Sequence, residues 1–155
     1  MKYINQKLTI EKVNVQAIAK RFGTPAYCYS YKQLKENINI FKKSFSSFSP
    51  LICFAIKSNT NVNLISEISK LGLGADVVSQ GELMKALKAG IKPYKIVFSG
   101  VGKTTEEINF AIRKKILLIN AESKSEIFEI EKIAKKNKKS VNVGIRLNPN
   151  VDAKT

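Results

Sequence analysis

The 155-residue sequence predicts an α/β protein whose strands form a parallel sheet, and three observations carry the prediction. From residue 51 onward, short apolar runs alternate with amphipathic segments. Three of those segments open on Ser or Thr with Glu three residues later, the pattern that starts a helix. The run at 51–56, LICFAI, is apolar without interruption, as strands buried on both faces are. Strand–helix alternation around such strands implies right-handed crossovers between parallel neighbours.

Each element follows in order. Residues 25–30 (PAYCYS) read as a short strand after a turn at Gly23. Residues 31–46 place Leu34, Ile38, Phe41 and Phe45 on one helical face, and 46–50 form a loop. The strand at 51–56 leads to a helix at 61–71 that ends at Gly72. A very short strand at 75–78 precedes a helix at 79–89, opened by Ser79 with Glu82 and closed by Gly90. A strand at 95–99 precedes a helix at 104–114, opened by Thr104 with Glu107. A strand at 116–120 precedes a helix at 123–137, opened by Ser123 with Glu126, and 141–147 is the last strand. Residue 51 thus begins four βα units followed by a fifth strand. A doubly wound sheet and a (β/α)8 barrel both begin this way. No GxGxxG follows the first strand, which favours the barrel. A whole barrel needs about 250 residues. The sequence is therefore expected to hold the N-terminal part of a TIM barrel, truncated, over 31–155, with 1–30 as a lead-in segment.

Hydrophobic residues make up 44% and charged residues 25% of the chain, which excludes a disordered or low-complexity protein. No apolar run reaches transmembrane length and no secretory signal opens the sequence, so no membrane is expected and the cytoplasm is the expected compartment. The formal charge is +15, but the basic residues are scattered, and only Arg21, Arg113 and Arg146 are arginines. Nucleic-acid surfaces cluster charge on one face and favour Arg, so solvated helix faces are expected here and no nucleic-acid partner. The same field would draw in an anionic substrate or cofactor. Histidine is absent, and the two cysteines, Cys28 and Cys53, form no CxxC. That excludes a Ser-His-Asp or Cys-His apparatus within the chain, and no metal site is expected. Both cysteines are read as buried free thiols.

In a barrel, function gathers at the C-terminal ends of the strands. Those ends hold Lys57-Ser58-Asn59, residues 76–79, Ser99-Gly100, residues 120–122 and residues 146–148. Lys57 directly follows the most apolar strand, and an amine held against an apolar wall has a reason to lose its proton and act as a Schiff-base nucleophile. Asp76, at the end of the next strand, could hold or reprotonate that amine. Arg146 stands at a strand end where this chain elsewhere uses Lys, which suggests fork geometry toward an anionic or phenolate oxygen. The plainer readings are a strand-capping Lys57, a loop-capping Asp76, and an Arg146 that pairs with Asp152. The run Ser99-Gly100-Val101-Gly102-Lys103-Thr104 resembles the tail of a phosphate-binding loop, but Val97 stands where that motif needs its first glycine. An NTPase is excluded, and the glycines are read as letting the loop turn near a ligand.

Five ordered motifs carry a resemblance. Phe54-Ala55-Ile56-Lys57-Ser58-Asn59 resembles the Tyr-Ala-x-Lys-Ala-Asn motif of fold-type III pyridoxal-phosphate enzymes, the alanine-racemase-like barrels. Gly23-Thr24-Pro25 with Tyr27 and Tyr29, the run GLGADVVSQGEL at 72–83 with its preceding leucine, IVFSGVGKT at 96–104 and RLNPNVDAKT at 146–155 resemble the diaminopimelate decarboxylase family within that group. The resemblance runs from about Gly23 to Thr155. It implies a pyridoxal 5'-phosphate cofactor carried on Lys57, with Asp76 near that amine, Ala55 packed by the cofactor and Arg146 by its phenolic oxygen. Lys57 and Asp76 would be the catalytic residues, and Lys57, Ala55, Asp76 and Arg146 the cofactor-binding ones. It implies decarboxylation of meso-2,6-diaminopimelate to L-lysine, a small amino-acid substrate, and a homodimer with shared active sites. It also implies that segment 1–30 associates with a C-terminal β-domain. The alternatives are an ornithine or arginine decarboxylase of the same fold, or a non-catalytic pyridoxal-phosphate-binding barrel. Phe54, Ser58 and Gln80 depart from the family's usual Tyr, Ala and Gly. The family's ring-stacking His, phosphate loop, pyridine-contacting Glu and partner-donated Cys and Tyr are expected beyond Thr155.

Overall fold

The computed structural model describes residues 1–149 and 151. It divides into two compact units, Met1–Pro50 and Leu51–Thr155.

In the first unit, β1 (Lys2–Ile4), β2 (Lys7–Ile10) and β3 (Val13–Asn14) form an antiparallel sheet in that order. Helix α1 (Val15–Phe22) starts where the Asn14 side chain accepts from the Gln16 amide. Helix α2 (Tyr31–Ser44) starts where Ser30 accepts from the Gln33 amide. Glu11 completes that start, accepting from Ser30 Oγ and from the Lys32 amide at 2.8 Å each. The Lys32 amide, followed by the Ser30 hydroxyl, holds the Glu11 carboxyl below its usual range. The strand expected at 25–30 does not form. Tyr27 is 90% exposed, and the segment has no ladder partner among the described residues. Cys28 is correspondingly exposed rather than buried.

The second unit is the expected βα array. Its strands are β4 (Cys53–Ala55), β5 (Gly74–Val77), β6 (Ile96–Phe98), β7 (Leu118–Ala121) and β8 (Val143–Ile145). They pair in sequence order, all in parallel. Between them run α3 (Val62–Lys70), α4 (Gln80–Lys88), α5 (Thr105–Lys114) and α6 (Lys124–Asn137). Alternate strand residues explain the layering, because successive side chains point to opposite faces. Ala75, Val77, Ile96, Phe98, Ile119 and Ala121 are buried against Leu83, Ala86, Ile108, Ala111, Ile130 and Ile133 of the helices. The other sheet face carries the intervening residues and is the face on which strand-end chemistry collects.

Two local expectations are corrected. Residues 51–56 are not a strand buried on both faces. Only 53–55 pair, Leu51 is 40% exposed, and Ile56 already belongs to a 3-10 turn (Ile56–Ser58). The reason is that the helices cover one face only: Phe54 packs against their core, while Cys53 and Ala55 lie on the other face with Asp76. Of the three expected capping boxes, only Thr104 with Glu107 closes in both directions. Glu82 and Glu126 reach one residue further back, to the Val78 and Glu122 amides at 2.9 and 2.7 Å. Their caps Ser79 and Ser123 still accept from the Glu82 and Glu126 amides. Each carboxylate thus ties the preceding strand end to the helix start rather than bonding the cap's own amide.

Among the described residues, no helix is long and apolar enough to cross a membrane.

Candidate active site

The sheet face away from the helices carries a row of residues, one from the C-terminal end of each strand. Ladder register sets the row: Ala55 of β4 faces Asp76 of β5, and Asn120 of β7 faces Gly144 of β8. Ser99, one residue past β6, lies between, its amide bonded to the Val77 carbonyl at 2.8 Å. The row is joined by side chains. Asn120 Nδ2 donates to Ser99 Oγ at 3.0 Å, and Ser99 Oγ donates to Asp76 Oδ1 at 2.7 Å. Gly144 is required here by close approach, since a Cβ on it would overlap Asn120 Oδ1.

Lys57 stands in the 3-10 turn after β4, two residues beyond Ala55. Ser58 Oγ donates to the Ala55 carbonyl at 2.7 Å and the Asn59 amide donates to the Ile56 carbonyl at 3.0 Å, so the turn that presents Lys57 is tied at both ends. The Lys57 side chain is exposed, not held against an apolar wall as its place after LICFAI suggests. Asp76 is half-buried and takes its hydrogen bond from Ser99, so it does not serve as a simple loop cap. Cys53 shares the Asp76 face and is half-buried; burial first, and the Asp76 charge second, push its thiol up, so it stays protonated.

Arg146 extends β8, its amide bonded to the Ala121 carbonyl at 3.0 Å. Its side chain is 67% exposed, with Nε 3.6 Å from Glu122 Oε2. Among the described residues, that loose pair is the ion pair Arg146 makes. Asp152, the salt-bridge partner considered from sequence, lies outside the described residues. Glu122, whose side chain is only 11% exposed, also accepts from the Gly100 amide at 2.9 Å.

Beneath this rim lies Lys103, the lysine of the discarded phosphate-loop resemblance. Its side chain is 1% exposed. Its ammonium donates to the Gly100 and Asn120 carbonyls at 2.7 Å each and to Glu126 Oε1 at 3.0 Å, which uses all three of its hydrogens. It joins the β6–α5 and β7–α6 loops and cannot reach a phosphate. Gly100 takes φ +97°, the left-handed turn that brings its carbonyl onto Lys103 and its amide onto Glu122.

Lys57, Ala55, Asp76 and Arg146 therefore sit along one edge of one sheet. Sequence reasoning named Ser99, Asn120 and Glu122 as strand-end positions without giving them chemistry, and it missed Lys103 as the pin beneath them. The usable signal was Glu122 itself, an acid one residue before a helix cap and so outside the capping pattern. Among the described residues, no cluster of His, Cys, Asp and Glu could hold a metal ion.

Comparisons with known proteins agree with this geometry. The sequence pattern of the family described as "Pyridoxal-dependent decarboxylase, pyridoxal binding domain" matches residues 31–155. A diaminopimelate decarboxylase from Aquifex aeolicus is 44% identical over 155 residues, all of this chain and 36% of that protein. The crystal structure of diaminopimelate decarboxylase from Helicobacter pylori complexed with L-lysine superposes with TM-score 0.88 at 44% identity, over 92% of this chain and 36% of that one. The M. jannaschii enzyme of the same name superposes with TM-score 0.93 at 36% identity, over 99% of this chain and 37% of that one. The chain thus spans little more than a third of the length of these relatives. With its βα array in their N-terminal geometry and its lysine turn, carboxylate and arginine on one sheet edge, the chain belongs to the pyridoxal-dependent decarboxylase family, as part of its pyridoxal-binding domain.

Proposed function

We propose that this chain supplies the cofactor lysine, a carboxylate and an arginine to a pyridoxal-phosphate-dependent decarboxylation of meso-2,6-diaminopimelate to L-lysine and CO2. The observation that carries the proposal is the row along one sheet edge: an exposed Lys57, a small Ala55, a hydrogen-bonded carboxylate at Asp76 and an exposed Arg146 in a loose pair with Glu122. The substrate assignment is supported by relatives of that name at 44–46% identity. It is also supported by the Helicobacter relative, whose structure contains L-lysine, the product of the reaction. The viral arginine decarboxylase, at 21% identity, shares the fold alone.

The residues fit the cofactor chemically. Lys57 forms no ion pair among the described residues, so its amine is available to bind an aldehyde carbon. When bound, pyridoxal phosphate supplies the electron sink for the broken C–C bond. In this reading Asp76, on the strand next to β4, holds or moves the proton at the Lys57 Nζ. Ala55, facing Asp76 across the ladder, keeps the floor flat for a planar ring. Arg146 offers donors to an anionic ring oxygen. In this reading, residues 1–30 form a lead-in that packs with a C-terminal β-domain, residues 31–155 are part of the barrel, and the protein works in the cytoplasm as a homodimer with shared sites.

The test is borohydride reduction of a polypeptide of the relatives' full length that carries this chain, loaded with pyridoxal phosphate and followed by peptide mapping. The label is expected on Lys57; a label on another lysine would overturn the assignment. A panel of meso-diaminopimelate, ornithine and arginine assigns the substrate, and turnover of either of the last two in preference would redirect it.

A further inference from the structure

We propose that Ser99 and Asn120 are positioning residues that fix the direction of the Asp76 carboxylate, an inference that rests on the reading of Asp76 given above. The argument is one of hydrogen-bond polarity. An amide NH2 can only donate, so Ser99 Oγ must accept from Asn120 Nδ2, 3.0 Å away. The single hydroxyl hydrogen of Ser99 is then left for Asp76 Oδ1 at 2.7 Å. The next strand makes room for Asn120. Its Oδ1 lies against Gly144, where a Cβ would overlap it, so glycine there leaves the room in which the Asn120 amide reaches Ser99. The relay therefore runs in one direction, from Asn120 of β7 through Ser99 at the end of β6 to Asp76 of β5.

Its consequence falls on the site. Among the described residues, Ser99 provides the side-chain hydrogen bond that Asp76 receives, and it engages Oδ1. Oδ2 is left for whatever occupies the face beside Ala55 and Lys57. Ser99 lies outside the hydrophobic core, with Phe98 turned into that core on its other side, so the hydroxyl is not there to fill space. A hydrogen bond to an ionised carboxylate is among the stronger kinds, which suits a group whose rotamer must not wander.

Two sets of variants in the full-length polypeptide test this. In the apoprotein, urea unfolding of Ser99→Ala, Asp76→Ala and the double variant forms a cycle, each change removing one partner of the bond. The two changes are expected to be non-additive by about tenfold in the unfolding constant, the scale of a hydrogen bond to a charged group. In the cofactor-loaded protein, the pH titration of the visible absorbance band and the kcat/KM are followed. Ser99→Ala and Asn120→Leu, the latter near in size but donating nothing, are expected to shift the titration and lower kcat/KM, Ser99→Ala by about tenfold. Ser99→Thr, which keeps the hydroxyl, is expected to restore both. An additive cycle, or an Ala variant with an unshifted titration and full kcat/KM, would overturn the relay. A coupled cycle in a protein that forms no visible band keeps the relay and instead sinks the reading of Asp76 as a cofactor neighbour.

Discussion

Lys103→Met is the substitution that most directly tests how the rim of the site is built. Methionine keeps an unbranched stem of similar reach and removes the ammonium. Three hydrogen bonds vanish, to the Gly100 and Asn120 carbonyls and to Glu126 Oε1. The Glu126 carboxylate, only 10% exposed, is then left without its countercharge, with the Glu122 amide as a partner. Breaking a buried ion pair from one side costs about 3–5 kcal/mol, because the remaining charge stays desolvated. The two carbonyls add to this unless water enters. The expected loss is therefore about 3–5 kcal/mol of unfolding free energy, read from urea unfolding of the full-length polypeptide at neutral pH. Adding Glu126→Gln to Lys103→Met removes the stranded charge and is expected to recover about half of the loss. A Lys103→Met protein within about 1 kcal/mol of the parent would show that the lysine is not the pin described here. The structure also predicts what Lys103→Met will not do: with its ammonium enclosed, its loss should not alter affinity for inorganic phosphate.

Other expectations concern the chain by itself and its acid behaviour. The isolated 155-residue polypeptide is expected to form no lysine from meso-diaminopimelate, measured by product analysis, and detectable turnover would refute that reading. It is also expected to associate as salt is raised. Edge strands β4 and β8 offer unpaired backbone, Ile145 is 67% exposed, and salt screens the +15 charge beyond about 8 Å at physiological strength. Sedimentation across a salt series checks this, and a monodisperse monomer at every concentration would contradict it. The Gln80 amide first, and the Thr104 amide and hydroxyl after it, hold the Glu107 carboxyl below its ordinary value of 4.5. A carboxyl lowered on folding stabilises the protein above its unfolded value, and that contribution is lost as pH falls through the folded one. Glu107→Gln should therefore reduce stability at pH 7 and flatten its fall below about pH 4.5 in acid melts; an unchanged acid limb would exclude the effect.

What the sequence determined by itself was periodicity and local chemistry. Apolar runs at a spacing of βα units, Ser or Thr caps followed by Glu, and glycines at the helix ends are short-range signals, and they placed α2 to α6 and the parallel strands in register order. Lys57, Asp76 and Arg146 were legible for the same reason: each stands beside a strand end, and strand ends in a βα array all open on one side. That the first and last strands of the array lie at its edges was legible from their order, but the one-sided covering of β4 was not, because an apolar run looks the same whether one or both of its faces is covered. The missing strand at 25–30 has a related cause, since β-propensity becomes a strand only when a neighbour supplies the ladder. The small sheet of β1, β2 and β3 likewise depends on pairing. Only the tertiary structure decided the bonds between loops far apart in sequence. Asn120, Ser99 and Asp76 are 21 and 23 residues from their partners, and Lys103 is 17 and 23 residues from Asn120 and Glu126. No window of sequence contains such a pair. It exists because parallel crossovers return each strand end to the same edge, where donors and acceptors must be matched to be buried.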